Sequence, residues 1–130
     1  MDFTRRIELD ANYDDAIERV RDALKDQGFG VLTEIDVRQT LKDKLDVDVD
    51  PQIILGACNP QLAHRALEID PRIAALLPCN VVVRTEAGRT VVEALDPTLI
   101  ARIPDNPALE PIAEEAGQRI QAALDALRNA

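Results

Sequence analysis

Aromatic side chains are nearly absent: Phe3, Tyr13 and Phe29 are the whole set, and there is no tryptophan. A chain so poor in rings has little with which to stack bases or sugars. Its core must come from Leu, Ile, Val and Ala. Histidine occurs once, at His64, and cysteine twice, at Cys58 and Cys79. One histidine supports no Ser-His-Asp arrangement, and two cysteines make no disulfide framework. Positive charge is scarce too: 15 Lys and Arg face 24 Asp and Glu, a net charge of −9. The acidic excess runs through both halves with no basic patch, so neither nucleic acid nor an anionic membrane is an expected partner. No apolar run approaches the ~20 residues of a membrane span. Met1-Asp2-Phe3-Thr4-Arg5 opens without an apolar leader, so a reducing cytoplasm is the expected compartment. Glycine-rich phosphate loops are also lacking, since Gly28-Phe29-Gly30 is short and precedes a strand rather than following one.

What is present is 130 residues that are 46% apolar, the size of one domain, and residues 1–130 read as one. Residues 3–9 predict a strand. Asn12 predicts a helix N-cap, Asp14 and Asp15 suit the first turn, and Gly28 predicts the helix end. Phe29 to Val37 predicts a second strand, and residues 38–45 a short amphipathic helix. Ile53-Ile54-Leu55 predicts a buried strand ending at Gly56. Asn59-Pro60 is an N-cap followed by Pro at the first helical position, and Asp70-Pro71 restarts a shorter helix. Val81-Val82-Val83 and Thr90-Val91-Val92 predict a hairpin turning at Ala87-Gly88. Pro104 and Pro107 precede a last amphipathic helix from about Leu109 to Leu127. The order is β-α-β-α-β-α-β-β-α, and the hairpin requires an antiparallel pair. An α+β fold follows, a single antiparallel or mixed sheet with helices packed on it. If one sheet face is left bare, a homodimer that buries it is expected.

Two matched dipeptides hold the concentrated chemistry, Cys58-Asn59 and Cys79-Asn80. One lies at the end of a predicted strand and the other at the start of the next. Antiparallel neighbours would bring both thiols to one sheet edge, whereas parallel neighbours would hold them a strand length apart. Cys58 also sits next to a helix N-terminus, where the dipole favours a thiolate and predicts a lowered pKa. Asn59 and Asn80 supply amides for a ligand, although Asn59 is already accounted for as a cap. Against these readings stands simple packing, because free cysteine is among the most buried residue types. Glu34 and Asp36 share a sheet face by alternation and suit either acid–base work or a solvated acidic surface. Lys44 suits a counter-charge. His64 reads as solvated; with Cys58 and Cys79 it would make three ligands, one short of a closed zinc shell.

Three blocks carry a family likeness: Gly28-Phe29-Gly30-Val31-Leu32-Thr33-Glu34-Ile35-Asp36-Val37, Leu55-Gly56-Ala57-Cys58-Asn59-Pro60 and Leu77-Pro78-Cys79-Asn80-Val81-Val82-Val83. With Thr40-Leu41-Lys42 and Lys44, they resemble the domain of unknown function 302 family over nearly the whole chain. The resemblance implies a small prokaryotic α+β domain, dimeric, with no established activity. It also implies that Glu34, Asp36, Lys44, Cys58, Asn59, Cys79 and Asn80 fall in the family's motif blocks.

The residues support a small-ligand or metal-binding module with its site around Cys58 and Cys79. A metal ion at that pair is the one cofactor they suggest. Two rivals stand beside it: thiol chemistry (persulfide transfer or a redox dithiol) and a scaffold whose cysteines only pack. They do not decide whether the chain catalyses a reaction.

Overall fold

A computed structural model describes residues 2–129, and its elements follow the local signals closely. Strand β1 is Thr4–Leu9, and helix α1, Tyr13–Asp26, starts at Asn12, whose side chain accepts a hydrogen bond from the Asp15 amide. Gly28 leaves that helix at φ +84, a conformation glycine enters without strain. Strand β2 is Gly30–Asp36 and helix α2 is Val37–Leu45, capped by the Asp36 carboxylate on the Gln39 amide. Strand β3 is Gln52–Cys58, and helix α3 is Pro60–Ile69. A 3-10 turn at Pro71–Leu76 leads into β4, Cys79–Glu86, and β5, Arg89–Leu95. Ala87 and Gly88 between them both have positive φ, as a two-residue hairpin turn requires. A one-turn helix α4, Leu99–Arg102, precedes the long α5, Glu110–Arg128.

The sheet has the order β1-β5-β4-β3-β2, and every pairing is antiparallel. This is the expected α+β fold. Two points differ from the sequence reading. Strand β3 does not stop at Gly56 but runs on to Cys58. Gly56 is needed inside the strand, because a Cβ there would collide with Thr33 Oγ1 and come 2.8 Å from Pro78 Cγ. Helix α4 was not expected; Pro97 and Pro104 bracket it and disguise it as a loop.

Strand alternation divides the side chains cleanly. Ile7, Leu9, Ile53, Leu55, Ala57, Val81, Val83, Val92 and Ala94 face α1 and α5 and form the main core with Val20, Leu24, Ile120 and Leu124. A second cluster lies under α3, the 3-10 turn, α4 and the start of α5, around Leu62, Ile73, Leu109 and Ile112. The other sheet face carries no such layer. Among the described residues, no helix is long and apolar enough to cross a membrane.

Candidate functional site

Ala57 of β3 stands opposite Cys79 of β4, and Gly56 opposite Asn80. The antiparallel pairing therefore sets Cys58, the last residue of β3, beside the first residue of β4 at one sheet edge. Both thiols are free, Cys58 half-buried and Cys79 only 6% exposed. They line one cavity of about 30 Å³, walled otherwise by Phe29, Leu62, Ala66, Leu77, Ile100, Ile112 and other apolar side chains. The cavity lies between the two apolar clusters: Phe29 and Ala57 belong to the first, Leu62 and Cys79 to the second.

Asn59 is 9% exposed and also lines the cavity, while its side-chain oxygen accepts from the Leu62 amide at 3.2 Å to cap α3. A Cβ placed on Gly28 would come 3.0 Å from the Asn59 Nδ2 and 3.5 Å from Arg119 Nη1. The glycine thus leaves room for the amide and for a guanidinium that donates to the Gln27 carbonyl at 3.1 Å. Arg119 follows Asn59 by 60 residues and gave no sequence signal; only the packing of α5 brings it near.

The electrostatics reverse one expectation. The Cys58 thiol is not held low by the helix beside it: burial pushes it up. Cys79 is pushed up to about 11 by burial, with a smaller contribution from Cys58. The cause for Cys58 is desolvation by the apolar wall, which disfavours the charged thiolate. Both thiols are therefore protonated at neutral pH.

The remaining expected residues scatter. Asn80 alternates to the opposite face of the sheet and is exposed, so the two Cys-Asn dipeptides are not equivalent. Glu34 and Asp36 do share a face, opposite Leu55 and Ile53. Glu34 pairs with Arg21, and Asp36 is committed to capping α2. Lys44 lies on α2, which follows the far end of β2, away from the edge that carries the thiols. His64 is 77% exposed and faces Glu68 at 3.7 Å rather than the cavity. The three-ligand set of Cys58, Cys79 and His64 is not assembled. Among the described residues, no group of three or more His, Cys, Asp or Glu side chains could hold a metal ion.

Fold and site define a class: an antiparallel α+β domain, covered by helices on one face, with one half-buried and one buried thiol at a sheet edge. The family follows from comparison. The model for the domain of unknown function DUF302 matches residues 5–127, and the chain belongs to that family. A solved structure similar to it is that of an uncharacterized conserved DUF302 protein from Bacillus stearothermophilus. It is 35% identical with a TM-score of 0.92, and the alignment covers 98% of this chain and 100% of that one. No curated protein matches the chain.

Proposed function

We propose that this chain is a binding module for a single soft, thiophilic metal ion held between the sulfurs of Cys58 and Cys79. The observation that carries the reading is the shared cavity of about 30 Å³. A water needs roughly 10–15 Å³ on such a measure, so this space takes one ion or one or two small atoms and excludes an organic ligand. Its walls offer two sulfurs and almost nothing else that coordinates. Two sulfurs in a dry site suit a monovalent copper-class ion; they leave zinc, which takes four ligands, undersupplied. Two thiolates around one monovalent cation carry a net negative charge. The N-terminus of α3 is the positive feature on that side of the cavity; the Arg119 guanidinium nearby is already paired with Glu115 at 3.1 Å.

Binding must displace the protons that burial holds on both sulfurs. Apparent affinity therefore rises with pH, by about 100-fold per pH unit between pH 6 and 8 if two protons leave. The test is competition of the reduced protein against a chromogenic copper(I) chelator, read with native mass spectrometry. One ion per chain, lost in both Cys58→Ser and Cys79→Ser, is the expected result. No uptake, or uptake unchanged by either substitution, would end the reading. A redox dithiol is the rival, and the half-buried Cys58 beside a buried Cys79 has the asymmetry of an attacking and a resolving thiol. It fits less well, because thiols raised by burial hold little attacking thiolate at neutral pH.

A further inference from the structure

Between α4 and the start of α5 lies a cleft of about 560 Å³, far larger than the thiol cavity. Its volume falls inside the ~300–1,000 Å³ that small-molecule sites occupy. The connection that forms it is tied down rather than loose. The Asn106 backbone amide donates to the Ala101 carbonyl at 3.3 Å, and the Asn106 side-chain oxygen accepts from the Ala108 amide at 3.0 Å. Ile100, Leu109 and Ile112 anchor the same segment in the smaller apolar cluster. Ala101 and Ala113 make the floor, both buried and too short to fill the space above them. The cleft is therefore built into the fold.

Charges of both signs line it: Arg102 from α4, Asp105 from the connection, and Glu110 and Glu114 from α5. Elsewhere such groups are engaged. Arg5, Arg84 and Arg119 are held by Asp96, Glu93 and Glu115. Among the described residues, none of the four cleft charges takes part in an ion pair. Glu110 and Glu114 stand one turn apart on α5, a like-charge spacing that weakens a helix slightly. We propose that this cleft binds a basic amino acid, its carboxylate on Arg102 and its cationic groups against Glu110, Glu114 and Asp105. The two signs select that class. A simple anion meets three carboxylates, and a simple cation meets the guanidinium. A ligand with one carboxylate and two cationic groups finds a partner for each and offsets the acidic excess of the wall. The Arg102 fork suits a carboxylate bidentately. The inference is independent of the metal reading, because neither cysteine lines this cleft.

Calorimetric titration of the reduced, metal-free protein with L-arginine at low salt tests it, beside agmatine, which is arginine without the carboxylate. Arg102→Gln and Glu114→Gln change exposed positions, so each variant keeps the far-UV circular dichroism of the parent. Charges at a wet rim hold weakly, and the expected result is one L-arginine per chain with a dissociation constant of about 0.1–1 mM, rising with salt. Each substitution weakens it about 5-fold or more. Agmatine binds about 5-fold more weakly than L-arginine, and Arg102→Gln does not weaken agmatine further. No saturable binding of L-arginine, binding unchanged in both variants, or agmatine bound as tightly as L-arginine overturns the proposal.

Discussion

The two faces of one sheet follow opposite rules. On the helix-covered face each strand contributes aliphatic side chains at every second position, and Leu55, Val83 and Val92 are wholly removed from water. On the other face the same strands carry paired Arg and Glu side chains and a short apolar row. The covered face holds the monomer together. The bare face is organised by ion pairs within the chain, with Val91, opposite Arg84 and Glu8, wholly buried. Ile54 and Leu55 are neighbours in sequence and belong to these two regimes. The cysteine motifs divide in the same way: Asn59 turns into the covered side and Asn80 onto the bare one.

The largest expected break in that comparison comes from Leu55→Ala, which removes a fully buried side chain and costs about 2–5 kcal/mol. Urea unfolding gives that loss at any protein concentration. Ile54→Ala on the other face removes a half-buried side chain and costs less; an equal loss would abolish the distinction. Next is pH. Cys79 ionises near 9 when unfolded and at about 11 when folded. The folded state thus disfavours the thiolate, and the stability from keeping the thiol neutral is complete below pH 9. It is lost as pH rises toward 11, by about 3 kcal/mol. Cys58 shifts in the same direction and adds to the slope. The difference between parent and Cys79→Ala isolates this contribution from other groups that titrate in alkali; a difference that is flat from pH 8 to 11 would falsify it. Smaller still is the cap: Asn59→Ala costs about 0.5–2 kcal/mol, since Leu62 loses its acceptor in a buried place. Smallest is Asn80→Ala, expected within about 0.5 kcal/mol in thermal melts of the dilute protein.

Much of the fold was legible because its signals are local. Asn12, Asn59-Pro60 and Ala87-Gly88 each specify a backbone conformation from one or two residues, and each does so in the structure. The antiparallel fork for Cys58 and Cys79 was legible in outline, since the hairpin demanded antiparallel pairing next door. Gly56 misled: read locally it ends a strand, but its reason is the nearness of Thr33 and Pro78 from elsewhere in the chain. The direction of the thiol pKa shifts was beyond reach for the same reason. The helix dipole is written beside Cys58, whereas the desolvating walls come from Phe29, Leu77, Ile100 and Ile112. Alternation showed that Glu34 and Asp36 share a face but not which one, and Arg21 and the α2 amides occupy them.

The cavity lies on the seam between two separately packed clusters, and the seam has a mechanical meaning. The layer of α3 and the 3-10 turn that covers Cys79 is anchored in the smaller cluster, while the strands bearing both thiols are held by the larger. Opening that layer would break contacts of the smaller cluster and leave the main core closed. Access to the thiols would then cost a local opening rather than unfolding of the whole domain.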